Sequence, residues 1–159
     1  MNKKFHSLIL AILYMLFLTV PLSCASDKKS VEVGKSDKCP VCGMFVARYK
    51  NWLSEIIFTD GTYAVFDGPK DMFRYYLDVK KYNPSKRASD ISNIYITEYY
   101  STELMDARKV FFVQGSDVNG PMGAELVPLA SETAAKNFLK DHKGSRILKF
   151  SEVTGEYLK

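Results

Sequence analysis

Histidine is nearly missing from this chain. There are two, and one of them, His6, lies in the leader. Cysteine is scarce as well, with three in 159 residues. Cys24 closes the leader, so Cys39 and Cys42 are the only thiols of the body. A structural zinc site needs four ligands. Two thiols and His142 do not complete one without carboxylates or a partner. No apolar run reaches the ~20 residues that a membrane-spanning helix needs. The longest, residues 8–20 (LILAILYMLFLTV), has 13. An excess of charge is lacking too. The formal net charge is +4, but Lys3 and Lys4 belong to the leader, which leaves 20 basic against 18 acidic side chains. A body so close to neutral argues against nucleic acid as a partner.

What is present is a good supply of core. Hydrophobic residues make up 47% of the chain and aromatics 13%, enough for one ordinary domain or two small units sharing a core. Residues 1–24 have the charged start and short apolar stretch of an export signal. Its end reads in two ways. Leu22-Ser23-Cys24 resembles a bacterial lipobox, shifted by one place, with Cys24 as the lipid attachment. Ordinary cleavage after Ala25 is the alternative. Both put the body outside the cytoplasmic membrane. Residues 25–38 are polar and charged and read as a flexible tether, with a short strand at 31–33 as the other reading.

The body shows the same element order twice. Residues 52–58 are β-rich, Asp60-Gly61 signals a hairpin, and 62–66 form the returning strand. Asp67-Gly68-Pro69 is a turn with Pro suited to a first helical position. Residues 71–79 place Met72, Phe73, Tyr76 and Leu77 at helical spacing, and 91–99 alternate as a strand. In the second half, 109–114 and 124–129 are strands, and Ser131 caps a helix over 132–142. A strand at 146–150 follows. The expected fold class is α+β: two ββαβ units, 39–103 and 104–159, forming antiparallel sheets with helices packed on one face.

The chemistry concentrates in Cys39-Pro40-Val41-Cys42-Gly43-Met44, two thiols and a thioether in six residues. The pair supports a redox, zinc, disulfide or soft-metal reading. A thioredoxin-like pair belongs at a helix N-terminus, and this one precedes any helix. A disulfide here would close too small a loop to add much chain-entropy stabilisation. Thiolate and thioether donors suit copper(I), and Gly43 allows Met44 to turn back toward the cysteines. Met122, between glycines at a loop tip, is a second candidate thioether. Met72 and Met105 read as structural, and His142 as a surface cation near a helix C-terminus.

Cys39 to Met44, together with Val113-Gln-Gly-Ser-Asp-Val-Asn-Gly-Pro-Met-Gly123 and Glu125-Leu-Val-Pro128, resembles the NosL family over roughly residues 38–153. The resemblance implies a copper(I)-binding envelope lipoprotein, not an enzyme. Such a protein would carry copper to an apo reductase, nitrous oxide reductase in that family, or to its copper-assembly machinery. It implies a fold of two ββαβ units similar to part of the organomercurial lyase superfamily. It also implies Cys42 and Met44 as ligands, Cys39 nearby and Met122 as the donor from the second unit. The rival reading is an envelope thiol-disulfide oxidoreductase using Cys39 and Cys42.

Overall fold

The computed structural model describes residues 30–158. The export signal and Cys24 lie outside the described residues. Chain order starts with two short 3-10 turns, Val46–Arg48 and Lys50–Trp52, and continues through β1 (Ser54–Phe58) and β2 (Tyr63–Phe66). Helices α1 (Pro69–Leu77) and α2 (Val79–Tyr82) and strands β3 (Ile91–Thr97) and β4 (Leu104–Asp106) complete the first half. The second half holds β5 (Phe111–Gln114), β6 (Asn119–Gly120), β7 (Gly123–Ala124), β8 (Val127–Leu129), α3 (Glu132–Asp141) and β9 (Arg146–Lys149).

The strands form a four-stranded sheet in the order β2-β1-β3-β4 and a three-stranded sheet in the order β8-β5-β9, with β6 and β7 as a small separate ribbon. Every pairing is antiparallel. This is the mixed α+β class expected from the sequence. β1 is central and buried along its whole length, as its β-branched Ile56-Ile57 run favours. The β1–β2 turn is closed by Asp60, whose carboxylate accepts from the Thr62 amide at 3.1 Å and its hydroxyl at 2.7 Å.

Helix α1 starts at Pro69, after Gly68 in an extended conformation. Its apolar face carries Met72, Phe73 and Tyr75, all buried. Phe73 joins the two halves: its ring lies 5.0 Å from Phe112 of β5 and 4.9 Å from Phe150 beyond β9, centroid to centroid. Helix α3 begins where Ser131 Oγ accepts from the Ala134 amide at 3.1 Å. It buries Ala135 and Phe138 against Val113, Val127 and Leu129.

Two boundaries differ from the sequence reading. β4, expected to open the second unit, pairs with β3 in the first sheet. The cause is Glu98, whose carboxylate accepts from the Tyr100 and Ser101 amides and the Ser101 hydroxyl. That tight turn folds the chain back on β3. Residues 30–38 are not free of the body either. The Val31 amide donates to Glu55 Oε2 at 3.1 Å, and Val31 and Val33 pack on the core. Both valines are outside any strand, so this end of the expected tether is a docked extended segment. Residues 25–29 lie outside the described residues. Among the described residues no helix is long and apolar enough to cross a membrane.

Candidate metal centre

The cysteine motif folds into a closed loop. The Gly43 amide donates to the Cys39 carbonyl at 2.8 Å, and the Cys39 amide to the Met44 carbonyl at 2.9 Å. Gly43 sits at φ +79°, a left-handed conformation that a residue with a Cβ adopts only at a cost. Lys38 and Phe45 bridge on either side of the loop. The backbone amides of Val41 and Cys42 are hydrogen-bonded to the Cys39 sulfur, and that of Met44 to the Cys42 sulfur. Both cysteines are free thiols. Cys39 is 1% exposed and Cys42 is half-buried.

Opposite the loop, the β2–α1 turn supplies two carboxylates. Asp67 precedes the helix and Asp71 lies in its first turn, four residues later, and both face the cysteines. Cys42 Sγ donates to Asp67 Oδ1 at 3.1 Å, and Cys39 Sγ to Asp71 Oδ2 at 3.5 Å. One donor atom from each of Cys39, Cys42, Asp67 and Asp71 lies within 4.8 Å of every other. Asp67 is 1% exposed, and its second oxygen, Oδ2, is buried without a hydrogen-bond partner. Arg74 holds Asp71 Oδ1 at 2.8 Å and reaches the Leu158 carbonyl at 2.5 Å.

The electrostatics hold protons on the sulfurs. Burial, with the neighbouring carboxylates adding to it, pushes the Cys42 thiol up to about 11. Burial pushes Cys39 further up, opposed by the two amides on its sulfur. A redox-active dithiol needs the reverse, a thiolate stabilised at neutral pH. The geometry therefore does not favour the oxidoreductase reading.

The second half reaches the site through Glu125. This carboxylate is 5% exposed. It accepts from the Lys70 amide at 2.7 Å, capping α1 from outside, and from the Leu126 amide at 2.9 Å. Lys70 Nζ returns to the Ala124 carbonyl at 2.5 Å. A Cβ on Gly68 would lie 2.4 Å from Glu125 Oε2 and 4.0 Å from Pro121. Glycine at 68 therefore leaves the room that the Glu125 carboxylate occupies against the turn that carries Asp67. Burial raises Glu125 to about 7, against the pull of the two amides and Lys70.

Of the residues singled out in the sequence, Cys39 and Cys42 come together in the cluster. Met44 closes their loop and is half-buried. Met122 stands at the tip of the β6–β7 ribbon, 46% exposed, outside the buried cluster but on the loop held against Gly68. Met72 is fully buried and Met105 packs on the core. His142 stacks on Phe138, with centroids 4.2 Å apart, and its Nδ1 lies 3.1 Å from Asp117 Oδ1. Asp67, Asp71 and Glu125 were missed as site residues. Asp71 is legible as an acid in the first turn of a helix, but Asp67 lies before the extended Gly68, outside the helix, and nothing local in the sequence turns it toward the cysteines. Glu125 carried no local signal.

Fold and site together define a small α+β protein with a buried dithiol–dicarboxylate pocket between a cysteine loop and a helix N-terminus. The NosL family model matches residues 30–158. The chain belongs to the NosL family. It is similar to the copper-binding lipoprotein NosL of Stutzerimonas stutzeri, 28% identical over 126 residues that cover 74% of this chain and 62% of that protein. The match thus spans less than two thirds of that relative's length. Among solved structures, the copper chaperone NosL from Shewanella denitrificans superposes with a TM-score of 0.67 at 20% identity, over 81% of this chain and 98% of that one. The apo-NosL protein from Achromobacter cycloclastes gives a TM-score of 0.47 at 24% identity, over 66% of this chain and 87% of that one.

Proposed function

We propose that this protein is a copper(I) carrier of the cell envelope, lipid-anchored through Cys24, that delivers the ion for metal-centre assembly of a reductase, and that it is not an enzyme. The observation that carries this reading is the convergence of two thiols on one buried point, with amides directed at both sulfurs. Amide donors stabilise the thiolates that a metal requires. The donor chemistry fits copper(I), which favours sulfur and accepts low coordination numbers. Cys42 and Cys39 would supply thiolates. Met44, at the end of the same loop, and Met122, on the exposed ribbon, would supply thioethers.

The arrangement also suits release. Cys39 is sealed inside, whereas Cys42 is half-buried and Met122 faces solvent. An acceptor's soft ligands would enter from the Met122 side and displace the outer donors first, with Cys39 letting go last. The copper-binding name of the Stutzerimonas stutzeri relative supports the cargo. Nitrous oxide reductase, or its copper-assembly machinery, is the acceptor that family membership favours.

The test is an anaerobic copper(I) titration of the reduced protein against a competing chelator. One ion per chain is expected, with Cys42→Ser costing most and Met44→Leu weakening binding while the domain stays folded. Met122→Leu weakens binding if the ribbon closes over the ion. Unchanged affinity after replacing both Cys39 and Cys42 with Ser would refute the site and the carrier reading together.

A further inference from the structure

The cysteine loop also presents a basic and aromatic face that the copper(I) donors do not use. Residues 30–50 carry four basic and two acidic side chains, and residues 51–158 carry 13 and 15. The described body therefore has its positive surplus only where the chain enters it. The Lys38–Phe45 bridge and the Val46 amide, which donates to the Asp37 carbonyl at 3.0 Å, join the two arms of the loop. Val46 packs into the core, while Phe45 stays 42% exposed. Lys38 Nζ lies 4.8 Å from the centre of the Phe45 ring. Lys35, Phe45, Ala47 and Arg48 line an open groove of about 410 Å³. Lys35, Lys38 and Arg48 are exposed, and among the described residues none of them is in an ion pair. Of the two acids in this stretch, Glu32 is exposed, and Asp37 already accepts from the Gly34 amide at 2.9 Å and the Tyr63 hydroxyl at 3.3 Å.

We propose that Lys35, Lys38, Phe45 and Arg48 form a docking face for a membrane of anionic phospholipid, which seats this side of the domain on the headgroups. The proposal takes from the carrier reading only the anchor at Cys24. Ser30, the first described residue, comes six positions after that cysteine. The anchor would therefore hold the bilayer nearest to the end of the body that carries the basic surplus. An anchor limits distance and leaves orientation open; a charged face with an exposed ring would select one orientation.

The chemistry of the face divides in the way a headgroup layer requires. The Arg48 guanidinium and the two ammonium groups would meet lipid phosphates. Each cation near an anionic surface strengthens attachment about fivefold, so three are worth on the order of a hundredfold. The Phe45 ring would enter the boundary between headgroups and acyl chains, the depth at which amphipathic surfaces bury their apolar side. Phe45 directly follows Met44, so docking would keep the copper-binding loop beside the bilayer. An acidic protein surface is the rival occupant. Lipid is favoured because the anchor brings a membrane to this face in every molecule.

The experiment mixes the purified, processed protein, free of metal, with two kinds of vesicle: phosphatidylcholine alone, and equal parts phosphatidylcholine and phosphatidylglycerol. Hydrogen–deuterium exchange reads residues 45–48. An acyl anchor enters both vesicles alike, so a difference between them belongs to headgroup charge. Slower exchange on the anionic vesicles only is expected, and it should be lost as salt rises from about 0.1 M to about 1 M. Lys35→Glu combined with Arg48→Glu should abolish the protection, and Phe45→Ala should reduce it. Lys140→Glu, an equal charge change on α3, should leave it in place. Copper(I) affinity of the Lys35→Glu, Arg48→Glu form should stay at the wild-type value, which shows that the loop is intact. Equal exchange on the two vesicles would overturn the proposal and leave the face to an acidic protein. Protection that Lys140→Glu removes as fully as the double variant does would overturn it too. Because no metal is present, a protein that docks but fails to bind copper(I) counts against the carrier reading alone.

Discussion

Replacing Glu125 with Gln should make the protein more stable at pH 8 and change its stability little at pH 4.5. The carboxyl lies between the two halves, where burial lifts it from an ordinary 4.5 to about 7. The folded state therefore holds this proton more tightly than the unfolded chain does. Stability is at its fullest below 4.5, falls as pH rises from 4.5 to about 7, and then levels off. The gap corresponds to about 3 kcal/mol of burial penalty on the ionised form at pH 8. Gln does not ionise, yet its amide oxygen can still accept from the Lys70 and Leu126 amides that now bond Oε1. Any constant effect of exchanging Oε2 for an amide nitrogen cancels, because the readout is the change with pH. Urea unfolding followed through Trp52, the single tryptophan, measures it. The variant's advantage should grow by about 3 kcal/mol between pH 4.5 and pH 8. A difference that stays constant across that range would refute the burial argument.

Three further outcomes follow from the site and the core. Copper(I) affinity should fall on acidification, because both thiols are protonated in the metal-free protein, with Cys42 at about 11. Each thiolate ligand contributes about tenfold per pH unit, so a slope near two implicates both cysteines and a zero slope rules out thiolate binding. Phe73→Ala should cost about 3–5 kcal/mol in denaturant unfolding, since its ring contacts both Phe112 and Phe150 across the two halves. Cys24→Ser should release the protein from membranes into the soluble fraction, and complete retention in the detergent phase would remove Cys24 as the anchor.

Much of this was legible where chemistry is local. The α3 helix announced itself through Ser131 and the spacing of Ala135 and Phe138. The β1–β2 hairpin did so through Asp60-Gly61. The cysteine loop stood out because soft donors are so few elsewhere. Other features depend on distant partners. Asp67 reads as turn punctuation until the fold sets Cys42 3.1 Å from it. Glu125 falls in the stretch 124–129 read as a strand, and nothing in that stretch marks its burial against the start of α1. Leu104–Asp106 is three residues long, and only the turn organised by Glu98 decides which sheet it joins. The valines at 31 and 33 carry too little apolar surface to indicate docking, and their partner, Glu55, lies in the middle of a strand.

The docking of Val31 sets the length of a leash. With Cys24 as the lipid attachment proposed above, seven residue steps separate the membrane surface from the point where Glu55 grips the chain. Fully stretched, those steps reach at most about 25 Å, less than the width of a small domain. The carrier could then turn and tilt over the bilayer but could not wander from it. An acceptor would have to come within one protein's breadth of the lipid to collect the ion, or be seated in the membrane itself. Cutting the grip by Glu55→Ala would lengthen the tether by only the few residues before Lys38 bridges to Phe45, so membrane distance would be governed more by this anchorage than by the disposition of the two halves.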